Sequence, residues 1–161
     1  DYTNLEVLIL DDHSDDGTGD LARQAAQGDS RLRVIEGEDL PADWMGKSWA
    51  CHTLSQHASG DILIFTDADV IWKAQALNSI MFQMEHSQVD MLTVWSTQIT
   101  ETFAECITVP NIAMVILGYL PTVMVHHSPF SLFAAANGQV MAWRREAYFS
   151  EGKNCVQSGV W

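Results

Sequence analysis

Short apolar runs alternate with amphipathic stretches along the first hundred residues of this chain. Residues 5–10 form a compact β-rich run, and residues 32–35 form a second. Between them, Leu21, Ala22, Ala25 and Ala26 recur at helical spacing, and Gly28 supplies the stop. The spacing predicts a strand, a helix over 18–27 and a second strand, a unit whose natural product is a parallel pair. Residues 36–46 read as a loop, with Pro41 and two glycines, and a helix is expected over 48–58. Ile62-Leu63-Ile64-Phe65 follows Gly60-Asp61 and has the uninterrupted apolar character of a strand covered on both faces. A helix over 73–87 carries Ala76, Leu77, Ile80, Met81 and Met84 on one face, and 90–96 reads as a strand. Alternation of this kind specifies an α/β fold with a mostly parallel sheet and flanking helices.

The last third changes character. Residues 101–107 read as a weakly amphipathic helix. Residues 109–125 are strongly apolar but interrupted by Pro110, Asn111, Gly118 and Pro121. Two readings stay open for that stretch: a buried helix pair, or a helix lying on a membrane surface or shaping a greasy acceptor site. Its polar positions lack the Lys and Arg usual in a membrane-surface helix. Residues 136–143 are expected to form a strand and 144–148 a short helix.

Charge narrows the partners. A net charge of −13 argues against nucleic acid, whose phosphates need Lys and Arg. A phosphate-bearing small molecule stays compatible if a cation sits between. Cys51, Cys106 and Cys155 show no metal-ligand spacing and favour reduced thiols. His126-His127 reads as a non-catalytic loop pair, and no G-x-S-x-G elbow supports Ser-His-Asp chemistry.

Candidate chemistry collects at strand ends, where open α/β sheets bind ligands. Asp67 and Asp69 follow the 62–65 strand, one residue apart, and side chains two apart in an extended segment point the same way. Oxygen ligands of this kind suit a hard divalent cation shared with phosphates. The acidic turn Asp11-Asp12-His13-Ser14-Asp15-Asp16 closes the first strand, and Asp16 or Thr18 could cap the helix behind it. Two parallel strands of one sheet would bring both acidic sets to the same edge. Lys47 opens a helix after Gly46 and can act as a point charge on phosphate. Gly138 before a strand would let a substrate approach the backbone closely.

Taken in order, the acidic turn at 11–18, Trp44-Met45-Gly46-Lys47-Ser48-Trp49-Ala50, Gly60-Asp61 through Asp67-Ala68-Asp69-Val70, and Gly138-Gln139 through Tyr148 resemble the family 2 inverting glycosyltransferases of the GT-A fold. More narrowly they are similar to the bacterial branch associated with carotenoid and hopanoid glycosylation. The resemblance implies a Rossmann-like nucleotide-diphospho-sugar transferase domain covering 1–161, with 1–100 as its nucleotide-binding half and 101–161 on the acceptor side. It implies that Asp11, Asp12, Lys47 and Asp67 contact the nucleotide of a UDP-sugar donor. Asp69 and Asp67 would hold Mn²⁺ or Mg²⁺, and Gly138 and Gln139 would line the acceptor side. It further implies inverting transfer to an acceptor hydroxyl, a lipid or polyisoprenoid among the candidates, by a membrane-associated enzyme on the cytoplasmic side. Two departures set limits. Nothing matches the first strand and nucleotide loop of the family, and no acidic pair holding the general base precedes Trp161. A fragment incomplete at both ends is therefore expected, with no catalytic base named and the base placed beyond Trp161. An absent first strand would leave a sheet edge open to self-association. Two other readings remain: a receiver-like Mg²⁺-binding signalling domain, and an inactive nucleotide-binding fragment.

Overall fold

The computed structural model describes residues 2–119 and 136–152. Its elements are β1 (Val7–Asp11), α1 (Thr18–Ala26), β2 (Leu32–Glu36), α2 (Gly46–His57), β3 (Ile62–Thr66), α3 (Ala76–Ser87), β4 (Met91–Val94), α4 (Phe103–Tyr119), β5 (Val140–Arg144), α5 (Arg145–Ala147) and a closing π-helical turn, Tyr148–Gly152. The α/β expectation, with parallel strands and flanking helices, holds. β1 and β2 pair in parallel, Val7 opposite Leu32 and Asp11 opposite Glu36. The other three strands lie in the order β3-β5-β4, with β5 antiparallel to both neighbours. β3 and β4 thus run the same way, as a strand–helix–strand crossover requires, but one strand apart. β5, which comes last in the chain, fills that space in the reverse direction. An apolar run shows that a strand is buried; it carries no sign of the strand's direction.

β3 is covered on both faces, as its composition requires. Ile62 and Ile64 pack with Ile80 and Met84 of α3 and with Val140 and Ala142 of β5. Leu63 and Phe65 face the other way, toward Tyr148, Trp143, Trp44 and Ala58. The two-residue period of a strand therefore divides one apolar run between two cores. Ile80 and Met84, four apart, form the buried stripe of α3. That helix begins at Ala76, with residues 73–75 in a turn closed by the Ala76 N–H on the Lys73 carbonyl, 3.0 Å.

The two ladders are joined through Glu6. Its Oε1 accepts from Ser59 N (2.5 Å), Ser59 Oγ (2.8 Å) and Gly60 N (3.0 Å), so β1 and β3 start side by side. These bonds, the Ser59 N–H first, hold the Glu6 carboxyl below its usual range. No ladder pairs β1 with β3 among the described residues. A cavity of about 200 Å³ lies between them, lined by Leu5, Glu6 and Leu8 on one side, 62–67 on the other, and α2.

α4 departs from expectation at Pro110 and from one of the two readings of its apolar stretch, the buried helix pair. Pro110 does not end the helix, which runs through it for 17 residues. A reciprocal capping box secures its start: Glu105 Oε2 accepts from Thr102 N (3.0 Å) and Glu101 N (2.8 Å), while Glu105 N donates to Thr102 Oγ1 (3.3 Å). Near the proline, Asn111 Nδ2 donates to the Ile107 carbonyl (2.6 Å) and Thr108 Oγ1 to that of Ala104, so two side chains bond back onto the helix on either side of the missing N–H. The helix is also not buried: Phe103, Ile107, Ile112, Met114, Val115 and Tyr119 are exposed. No described helix is long and apolar enough to cross a membrane. Residues 120–125 of the apolar run, His126-His127 and Cys155 lie outside the described residues.

Candidate functional site

The site is assembled where β3 ends. The Asp67 N–H donates to the Gln139 carbonyl (3.0 Å), adding a rung beyond the β3–β5 ladder and fixing Asp67 beside the 138–139 segment. That segment is itself pinned. Asn137 N donates to Thr93 Oγ1 (2.8 Å), Thr93 Oγ1 donates to the Asn137 carbonyl (2.8 Å), and Gln139 N donates to Asn137 Oδ1 (3.1 Å). Lys47, in the first turn of α2, reaches across. Its Nζ is 2.6 Å from Asp67 Oδ1 and donates to the Gly138 carbonyl at 3.0 Å. The loop before α2 is held by the Trp44, Trp49 and His52 rings, with centroids 4.9–5.4 Å apart, and by Trp49 Nε1 donating to the Glu38 carbonyl at 3.2 Å.

Four of the residues singled out from sequence, Lys47, Asp67, Gly138 and Gln139, therefore converge. Lys47 and Asp67 keep 48% and 33% of their side-chain surface. A pair that exposed contributes only about 0–1 kcal/mol, so an incoming phosphate can compete for the lysine at little cost. Cys51 lies beneath them in the 200 Å³ cavity, and burial pushes its thiol up to about 11, with Lys47 opposing and Asp67 adding to the shift. It is a packed thiol, not a nucleophile.

Asp69 lies two residues on, in a turn closed by Val70 N on the Asp67 carbonyl, 3.3 Å. It is exposed and lines a separate cleft of about 590 Å³, together with Trp95, Gln98 and Gln139. The two aspartates thus line different cavities, and a turn replaces the extended segment that was expected to point both side chains the same way. Each is a carboxylate of the kind a hard cation sharing phosphate oxygens takes, but one oxygen of Asp67 is taken by Lys47 and the two side chains line separate cavities. Among the described residues no three His, Cys, Asp or Glu side chains form a closed cage.

The acidic turn after β1 is built differently. Asp11 is folded inward, its side chain 8% exposed, with Oδ2 3.1 Å from Arg23 Nη2. Its Oδ1 accepts from Ser14 N at 3.1 Å. Hydrogen bonding from Ser14, and then the Arg23 charge, hold its carboxyl below the usual range. Gly19 of α1 lies against it; a Cβ there would collide with Asp11 Oδ2 and approach Arg23 Nη1 to 2.7 Å. Asp12 is exposed, with Oδ1 over Gly37. Asp16 Oδ1 accepts from Thr18 N, the first N–H of α1, at 2.9 Å, while Gly17 in the left-handed conformation holds the N-cap position. Both acidic sets stand at strand ends, but β1 and β3 belong to different ladders, and the cavity between the strands is lined by Lys47 and Asp67 without Asp11 or Asp12.

Sequence reading passed over Glu6, which joins the ladders, and Trp95 and Gln98, which wall the larger cleft. Glu6 is the one polar position inside the 5–10 run and gives no local signal. Trp95 and Gln98 matter only because β5 brings Gln139 beside them.

The chain matches the domain described as Glycosyl transferase family 2 over residues 1–147. It is 35% identical over 66 residues to a 4,4'-diaponeurosporenoate glycosyltransferase of Staphylococcus haemolyticus, covering 41% of this chain and 17% of that protein. It is 30% identical over 91 residues to a UDP-Glc:alpha-D-GlcNAc-diphosphoundecaprenol beta-1,3-glucosyltransferase of Escherichia coli, covering 56% and 34%. It is 24% identical over 91 residues to the glycosyltransferase GlyG of Streptococcus pneumoniae, covering 56% and 29%. These matches span about a third or less of each relative's length.

Proposed function

The chain belongs to glycosyl transferase family 2, and on that premise we propose that it binds a nucleoside diphospho-sugar, a UDP-sugar first, and takes part in inverting transfer of the sugar to an acceptor hydroxyl. The observation that carries this reading is the convergence of Lys47, Asp67, Gly138 and Gln139 at the end of β3. Lys47 holds a diphosphate as a point charge at the start of α2. Asp67 positions the lysine through one oxygen and presents the other. Gly138, with no side chain, leaves its surroundings open above the lysine. Asp12 is the exposed carboxylate available to the uridine, and Asp11 supports the turn that presents it.

Asp69 and the second oxygen of Asp67 would hold Mn²⁺ or Mg²⁺. When bound, the cation supplies charge neutralisation for the departing diphosphate. A lipid-linked acceptor is supported by the Escherichia coli relative, whose name specifies a diphosphoundecaprenol-linked substrate, and by the exposed apolar side chains of α4. The same side chains support contact with a membrane surface. Family membership sets aside the receiver-like alternative.

Thermal unfolding with UDP, with and without Mn²⁺, tests the donor reading. Wild type should gain stability from UDP, and more with Mn²⁺. Asp69→Asn should retain the UDP effect and lose the Mn²⁺ increment. An undiminished increment in that variant would refute the metal assignment, and no response of wild type to UDP would refute the donor.

A further inference from the structure

Lys47 Nζ meets two acceptors, Asp67 Oδ1 at 2.6 Å and the Gly138 carbonyl at 3.0 Å. An ammonium carries three donors, so one is left for a ligand oxygen. Where that third donor points depends on how firmly the two acceptors stand. Asp67 is held by its N–H on the Gln139 carbonyl, 3.0 Å. The Gly138 carbonyl belongs to the peptide plane shared with Gln139, and a glycine leaves such a plane free to turn unless it is tied. It is tied at its other edge: Gln139 N donates to Asn137 Oδ1 at 3.1 Å. The N–H and C=O of a trans peptide point in opposite directions, so fixing the one aims the other at Lys47. Asn137 is fixed in turn by a single hydroxyl. Thr93 Oγ1 accepts from the Asn137 N–H and donates to the Asn137 carbonyl, both at 2.8 Å. The Val140 carbonyl lies farther from that hydroxyl, at 3.5 Å, so the proton goes to Asn137. Thr93 stands on β4, opposite Met141 of β5 and 44 residues from Asn137 in sequence.

We propose that Thr93 is a positioning residue for donor binding: through Asn137 and the Gly138–Gln139 peptide it aims the free donor of Lys47 at the diphosphate. This role rests on the donor reading above and deepens it. Thr93 touches no ligand itself. It acts at one remove, by closing both backbone groups of Asn137 with one side chain from another strand. Three elements then converge on the lysine: α2 carries it, β3 supplies Asp67, and β4 steadies the turn before β5 that supplies the Gly138 carbonyl. The segment 138–139 thereby serves the donor side, whatever acceptor it also lines.

The test is a double-mutant cycle, read by calorimetry with UDP on the whole chain: wild type, Thr93→Val, Lys47→Ala and the two combined. Valine keeps the β-branched shape and lacks the hydroxyl. Thr93→Val should weaken UDP binding about three- to ten-fold. In the Lys47→Ala background the same substitution should change it by less than about two-fold, because an effect exerted through the lysine vanishes with the lysine. Thr93→Ser keeps the hydroxyl and should bind UDP as wild type does, even where the lost methyl lowers the urea midpoint. Equal weakening in both backgrounds, or a serine variant as weak as valine, would overturn the proposal, since a turn needed only for folding is indifferent to Lys47. If Thr93→Val does not fold, Asn137→Ala takes its place in the cycle with the same expectation. The donor reading is judged separately. UDP binding that falls in Lys47→Ala and is unchanged in Thr93→Val overturns the positioning role alone; no UDP binding by wild type overturns the donor reading and this role with it.

Discussion

The ends of β1 and β3 look alike as text and differ as chemistry. Each is a short apolar run that meets an aspartate at its carboxyl end. Asp11 is turned into the protein, capped by Ser14 N and paired with Arg23 under Gly19. Asp67 is turned outward, paired with a half-exposed lysine from another helix and hydrogen-bonded through its backbone to a third element. What separates them is the origin of the partner. Asp11 is satisfied by its own strand–helix–strand unit, from residues 3 and 12 positions away in sequence. Asp67 draws on Lys47 and Gln139. A carboxylate satisfied locally stiffens a turn. One satisfied by distant elements marks where those elements meet, and such a meeting point is where a ligand finds several groups at once.

The largest effect should come from breaking the Asp67 side of that comparison. Lys47→Ala removes the cation that holds both Asp67 and the Gly138 carbonyl. UDP affinity should fall about 10- to 100-fold, the usual range for a lost charge-assisted contact. Stability should change little, because the exposed pair contributes little. Calorimetry with UDP and a urea midpoint separate the two quantities; a large stability loss with unchanged UDP affinity would make Lys47 structural, like Arg23.

The converse variant is Gly19→Ala, on the Asp11 side. The added methyl collides with Asp11 Oδ2 and crowds Arg23, so the ion pair or the helix must shift. Overpacking of this kind costs about 1–3 kcal/mol, read from the denaturant midpoint. UDP binding by the folded protein should fall much less than in Lys47→Ala. An unchanged midpoint would show that the turn yields freely.

How much of this was legible follows the same division. The two-faced burial of β3 could be read from Ile62-Leu63-Ile64-Phe65, because apolar pattern reports burial directly. The chemistry at Lys47, Asp67, Gly138 and Gln139 could be marked because each stands at an element boundary. The bond from Lys47 to Gly138 could not, since it depends on β5 entering antiparallel between β3 and β4. The helical path through Pro110 was hidden for a different reason. Proline is read as a breaker, and the side-chain bonds of Thr108 and Asn111 back onto the helix around it depend on rotamers that no pattern specifies. Glu6 stayed silent because one acceptor serving three donors looks, in sequence, like an ordinary surface glutamate.

The smallest and most specific effect concerns acid. The folded state holds the Asp11 carboxyl below its ordinary value of 3.8, chiefly through Ser14 and secondarily through Arg23. A depressed folded value means that the charged form is favoured on folding, so the contribution is complete above the unfolded value. It is lost as pH falls from near 4 through the folded value. Asp11→Asn removes the titrating group and its attraction for Arg23 together. At neutral pH the variant should be less stable than wild type, and the gap should close as pH drops below about 4. Glu6, Asp16, Asp29 and Glu105 are shifted in the same direction, Asp29 to about 2 by its hydrogen bonds with Arg31, so the wild-type acid limb will not vanish in the variant. The diagnostic quantity is the difference between the two proteins at each pH, measured by urea denaturation. A gap that stays constant down to pH 3 would mean that Asp11 acts through packing against Gly19 and not through its charge, and the contrast with Asp67 would then lie in exposure alone.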